Sequence, residues 1–277
     1  MTAQDGAWKR RVRLAAAGTA LALLLAGFAA GRIRGGENLW PGDVAVAHAL
    51  GGVAGGRDNS NSLEAFRQSY ERGFRTFEVD LMLTEAGELV LAHSQREWEA
   101  YSTWPELAGY TTLRFGDLCG LMADHPEIWV ITDTKSTDAE GIRREFSALV
   151  AAAEAAGHPE VLERMVIQLY HEEMYDVVRE VYPFANYIFT LYQRWDGDMA
   201  ELEKICAWCR EREIPALTMW YYLLNDSVME TARRYGLEVY VHTVNDPAQA
   251  QTLLDLGAAG VYTDDLSPAL LHRNGKD

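Results

Sequence analysis

The chain has 277 residues, 48% of them hydrophobic, and a formal net charge of −16. That length and apolar content suit one large core of α/β-barrel size and exclude a disordered or fibrous chain. The acidity, which deepens to −20 once residues 1–37 are set aside, repels phosphate backbones. It argues against a nucleic-acid partner and requires a metal ion or a local basic group for any anionic substrate.

Residues 1–37 read as a separate unit, with 38–277 as the folded domain. WKRRVR is basic, and LAAAGTALALLLAGFAAG, residues 14–31, is an uncharged run of 18. This is the lower limit for a membrane-spanning helix and longer than most signal-peptide cores. Bases before and after the run favour a cytoplasmic N-terminus with the remainder outside. The expectation is a membrane-anchored protein with an extracytoplasmic domain; the alternative is secretion after cleavage behind Ala29 or Ala30. The cysteines, Cys119, Cys206 and Cys209, provide no second pair for a zinc site. CAWC lies in a stretch of helical period, so its thiols are expected one turn apart in a helix.

Strand-like runs then follow at 43–49, 75–83, 88–94, 127–135, 164–170, 186–192, 215–222, 237–244 and 260–265. Helical patterns such as SLEAFRQSYERG, TDAEGIRREFSALVAAAEAAG, DSVMETARRYG and DPAQAQTLLDLG separate most of them. Several end on glycine, a common helix stop. Strand–helix alternation over this length favours a parallel sheet, closed as a barrel or open and doubly wound. A barrel needs eight strands and nine are expected. The surplus is local, because only EAGE separates LMLT from LVLAH, too little for a crossover. Those two runs form a hairpin.

The hairpin bears the chemistry. A turn centred between Ala86 and Gly87 places Asp80 opposite His93, and Glu78 shares the side of Asp80. Two acids on one side of an apolar strand are costly to bury without a cation, unless this is simply the wet face of an exposed hairpin. Hard oxygen ligands point to Mg²⁺ or Ca²⁺ rather than zinc. Other strand ends add to the group: His48 closes VAVAHA, and Asp133 and Lys135 close WVITDTK. Polar residues at the carboxyl ends of parallel strands read as active-site groups. A cation held by Glu78, Asp80 and Asp133, two histidines for acid–base work and Lys135 against a phosphate suit phosphodiester cleavage. Trp220 and Tyr221, in LTMWYYLL, form an apolar wall for substrate or part of the core. His125, His158, His171 and His272 read as loop, helix-terminal or tail residues.

The ordered stretches AHALGG, NSLEAF, FEVDLMLTEAGELVLAHS, TDTK, VHTVND and GAAGVYTDD, spanning 43–268, resemble the glycerophosphodiester phosphodiesterase family. That family lies within the superfamily that includes phosphatidylinositol-specific phospholipase C and sphingomyelinase D. The resemblance implies a TIM-type (β/α)8 barrel, one divalent cation, and His48 and His93 as catalytic histidines. Departures are plain: Ala49 stands for the family's arginine, Ser60 for its first glutamate, Asp133 for a later glutamate and His242 for a tryptophan. Arg57, in the loop GGVAGGRDNSNS, is the candidate to replace the lost arginine. The expected substrate is a small glycerophosphodiester or a phospholipid-like headgroup. The alternative is a catalytically silent barrel that binds a lipid headgroup or a cell-envelope partner.

Overall fold

The structure is a computed structural model that describes residues 40–56, 59–103, 109–192 and 195–273. The expected anchor, the boundary at residue 37 and Arg57 lie outside the described residues. Among the described residues no helix is long and apolar enough to cross a membrane.

Nine strands occur among the described residues: β1 (Ala45–Ala47), β2 (Thr76–Leu83), β3 (Leu89–Leu91), β4 (Trp129–Thr134), β5 (Met165–Leu169), β6 (Asn186–Thr190), β7 (Ala216–Trp220), β8 (Glu238–His242) and β9 (Gly260–Thr263). Each lies inside one of the nine runs expected from the sequence. The ladder runs β1-β9-β8-β7-β6-β5-β4-β2, and β1 pairs with β2 to close it. Eight parallel strands therefore make a closed barrel, and the surplus strand β3 pairs antiparallel outside it on β2.

The helices are α1 (Leu63–Glu71), α2 (Gln95–Thr103), α3 (Phe115–Asp124), α4 (Ala139–Ala155), α5 (Glu172–Val181), α6 (Met199–Glu211), α7 (Asp226–Tyr235) and α8 (Pro247–Leu256). Their starts follow from capping chemistry. Ser62, Asp138, Asp198, Asn225 and Asp246 each accept a backbone N–H of the first turn, which satisfies donors that the helix leaves free. At the far end of α8, Gly257 takes φ 117°, a left-handed stop that favours glycine. In α6, Cys206 and Cys209 are buried free thiols, and burial pushes Cys206 up to about 12.

Strand alternation sorts the core into two layers. Ala47, Phe77, Val79, Val130 and Ile167 face the helices, whereas Val46, Ile131, Val166, Ile188, Tyr240 and Tyr262 fill the barrel. The amino-terminal end of the barrel is closed by Trp40. Its indole N–H donates to Thr76 Oγ1 at 3.1 Å, and its ring centroid lies 5.0 Å from that of Tyr240. Polar groups collect at the opposite end.

The hairpin register corrects the expectation. Leu81 pairs with Leu91, Met82 with Val90 and Leu83 with Leu89. Ala92 N donates to the Asp80 carbonyl at 3.1 Å, so the partner of Asp80 is Ala92 and not His93. The cause is the turn. Thr84 N donates to Glu88 O, Gly87 N donates to Thr84 O, and Gly87 takes φ 80°. A three-residue loop with a left-handed glycine therefore replaces the two-residue turn and shifts the register by one.

Candidate active site

The carboxyl ends of the strands surround a cavity of about 410 Å³ lined by His48, Glu78, Asp80, His93, Asp133 and Lys135, among others. Each arrives for a local reason. Glu78 and Asp80 are two apart on β2 and share its inward side. The β2–β4 register sets Asp80 beside Asp133. His48 ends β1. His93 reaches the cavity although its expected register fails, because β3 stops at Leu91 and residues beyond it no longer obey strand alternation.

The acids form one tight group. One oxygen each from Glu78, Asp80 and Asp133 lies within 4.8 Å of the others. Glu78 is 4% exposed and Asp80 2%. Burial, then the charge of Asp80, pushes Glu78 up to about 8. Burial also lifts Asp133 to about 6 against the pull of Lys135. Asp80 is held below the usual carboxylate range: burial works against it, but the charge and hydrogen bond of Lys135 and the amide of Asn61 prevail. Lys135 Nζ donates to Asp80 Oδ1 at 2.5 Å and to Asp133 Oδ2 at 2.9 Å. Asn61 grips Asp80 twice, from Nδ2 to Oδ2 at 2.8 Å and from the Asp80 N–H to Oδ1 at 3.0 Å.

The loop after β1 is bent to serve the same acids. Ala49, at φ 48° and ψ 43°, and Leu50, at φ 67°, both take left-handed conformations that cost a side-chain-bearing residue about 1 kcal/mol or more. That bend aims the Ala49 N–H at Glu78 Oε2, 2.7 Å away. At the position of the family's arginine, the chain thus offers a backbone donor to a carboxylate.

Asp264, at the end of β9, is the principal residue that the sequence reading leaves without a role. Its Oδ1 meets His48 Nδ1 at 2.9 Å, and Asn245 Nδ2 donates to its Oδ2 at 2.6 Å. Arg72 braces this corner by donating to the carbonyls of Gly52 and Asp264. Burial opposes the charged imidazole, but the Asp264 hydrogen bond and the charges of Glu78, Asp264 and Asp80 raise His48 to about 9. The sequence signal was present: TDD ends a barrel strand, as TDTK does. Gln168, in the apolar run RMVIQLY, carries no such signal; its Nε2 lies 3.3 Å from Asp133 Oδ1.

An aromatic wall stands across the cavity. Trp220, 37% exposed, lies 5.2 Å from Tyr192 and 6.0 Å from Tyr222, ring centroid to centroid. His242 packs within 3.7 Å of Tyr192 and 4.4 Å of Trp220; burial, then the neighbouring His48, lowers it to about 2. It is a neutral wall component, as an aromatic at that position would be. Tyr221 packs against the outer core layer rather than lining the cavity.

The model of the glycerophosphoryl diester phosphodiesterase family matches residues 125–267, just over half of the chain. The match includes Asp133, Lys135, Trp220 and Asp264; His48, Glu78, Asp80 and His93 precede it. No curated protein gives a significant match. Solved structures match in fold. An Oleispira antarctica phosphodiesterase in complex with the product sn-glycerol-3-phosphate is 16% identical at a TM-score of 0.62, over 82% of this chain and 94% of that one. A glycerophosphodiester phosphodiesterase from Parabacteroides distasonis is 19% identical at 0.61, over 83% and 95%. One from Thermotoga maritima is 16% identical at 0.56, over 80% and 94%. At such identities the likeness speaks for the barrel and not for particular side chains.

Proposed function

This chain belongs to the glycerophosphoryl diester phosphodiesterase family and is a phosphoric diester hydrolase, and from that premise we propose that it cleaves glycerophosphodiesters or phospholipid-like headgroups with the aid of one divalent cation, Mg²⁺ or Ca²⁺. The observation that carries this reading is the meeting of two imidazoles and three carboxylates around one cavity. The donor set fits such a cation. It consists of hard oxygens, and burial and the charge of Asp80 weigh on Glu78, to which Lys135 makes no hydrogen bond. Glu78, Asp80 and Asp133 would hold the ion. When bound, it supplies positive charge against a phosphate oxygen and the charge that develops there.

The remaining work belongs to the chain. Asp264 engages His48 Nδ1 and so turns Nε2 toward the cavity as the proton donor to the leaving oxygen. His93 takes the proton from the attacking hydroxyl, that of water or of the substrate's own glycerol. Lys135 supplies a further cation for the phosphate. Trp220 and Tyr192 flank the alcohol portion. Arg57 is offered as an additional phosphate contact. The sn-glycerol-3-phosphate complex of the Oleispira antarctica relative supports a glycerophospho group as the half retained in the cavity. Residues 1–37, basic and then apolar, are proposed to hold the domain at a membrane on its extracytoplasmic side.

The test is hydrolysis of a panel of glycerophosphodiesters and lysophospholipids by the metal-stripped protein with each cation restored. Turnover that needs the cation and disappears in His93→Ala is the expected result. Turnover unaffected by chelation or by His93→Ala would overturn the mechanism.

A further inference from the structure

Gln168 lies on β5, next to the strand that carries Asp133, and is only 1% exposed. Its Nε2 donates to Asp133 Oδ1 at 3.3 Å and to Tyr170 Oη at 3.1 Å. Its Oε1 is buried and has no hydrogen-bond partner. A side-chain amide with one end unpaired is a costly thing to place inside a barrel, where Val166 and Ile188 show what ordinarily fills the space. The same cavity holds three carboxylates, Glu78, Asp80 and Asp133, whereas magnesium and calcium take about six to eight oxygens, which leaves room for a neutral ligand. Ser60, which stands where the family has a carboxylate, turns its hydroxyl to Ser62 Oγ at 2.8 Å.

We propose that the amide oxygen of Gln168 is a ligand of the divalent cation beside Asp133, a neutral oxygen from the next strand that makes up for the carboxylate absent at Ser60. The inference rests on the cation-dependent function proposed above. The last torsion of a glutamine is soft and two-fold, so the amide turns over readily. Turned over, the oxygen occupies the end that is now 3.3 Å from Asp133 Oδ1 and 3.1 Å from Tyr170 Oη, and the amide N–H group takes the place that the unpaired oxygen leaves. Two oxygens at that spacing can share one cation with bonds of about 2.3–2.6 Å. The Tyr170 hydroxyl then donates to the amide oxygen and fixes its direction, as outer partners do for metal ligands generally.

The rival role is simple positioning, in which Gln168 serves only as an N–H donor to Asp133. A carboxylate in its place separates the two roles, because it keeps the oxygen and removes the donor. The full chain, stripped with a chelator, is titrated with Ca²⁺ and with Mg²⁺ by calorimetry and by the cation-induced rise in unfolding temperature. Gln168→Leu is expected to weaken binding by at least about tenfold, and Gln168→Glu to bind as tightly as the wild type or more tightly. Wild-type affinity in Gln168→Leu would overturn the inference alone, as would a loss in Gln168→Glu. Should Gln168→Leu fail to fold, a loss of cation affinity in the isosteric Gln168→Glu overturns the inference by itself. A wild-type protein that binds neither cation would overturn this inference together with the cation-dependent function.

Discussion

His48 carries a stability signature as well as a proposed catalytic role. Its folded pKa of about 9 lies above the ordinary 6.5, so the Asp264 contact stabilises the fold fully below pH 6.5 and loses that effect as pH rises through 9. Asp264→Asn should lower the unfolding free energy of the metal-free protein by on the order of 2 kcal/mol at pH 6 and by little at pH 10, measured by urea unfolding at both values. Glu78 runs the other way. Burial, then the charge of Asp80, raises its pKa to about 8, so the metal-free protein loses stability between pH 4.5 and 8, where this carboxyl is ionised in the unfolded chain and still protonated in the folded one. Glu78→Gln should flatten that fall and should also abolish the cation-induced rise in unfolding temperature. His93→Ala should leave that rise intact and cut kcat by roughly 10²–10⁴, which separates acid–base work from cation binding. Much of this was legible in single residues: a period of two put Glu78 and Asp80 on one side, and the strand-end rule found His48, Asp133 and Lys135. Asp264 and Gln168 escaped because their contacts with His48 and Asp133 are made across the sequence, Asp264 reaching His48 over 216 positions and Gln168 reaching Asp133 over 35.

At the scale of elements, the strand and helix pattern was legible nearly throughout, since the barrel strands are short apolar runs and most of the helix caps are local hydrogen bonds. The hairpin register was not. EAGE admits a two-residue or a three-residue turn, since a left-handed Gly87 suits either, and the pairing of Thr84 with Glu88 decides between them. His93 enters the cavity all the same, because β3 ends two residues before it. The hairpin therefore depends on one glycine. Gly87→Val should cost about 1–2 kcal/mol of stability, as β-branched residues resist positive φ, and should lower kcat more than it lowers cation affinity. Urea unfolding and calorimetry on the same variant would show both. The pair α2 and α3, inserted between β3 and β4, was not anticipated; α2 buries no residue, so its sequence has little apolar period to read.

At the scale of the whole molecule, the charge of −16 sets how substrate arrives. A net-anionic diester approaches an acidic protein against repulsion that salt screens over about 8–10 Å. Raising sodium chloride from about 20 to 200 mM should therefore increase kcat/KM for an anionic glycerophosphodiester by about twofold, and should change a zwitterionic one less. Trp40 and its partners Thr76 and Tyr240 plug the far end of the barrel. Among the described residues that end of the barrel is stopped, and the chamber lies at the carboxyl ends of the strands. On the proposed reaction, incoming diester and outgoing fragments pass the same aromatic threshold, and a lingering fragment excludes the next molecule until it has left.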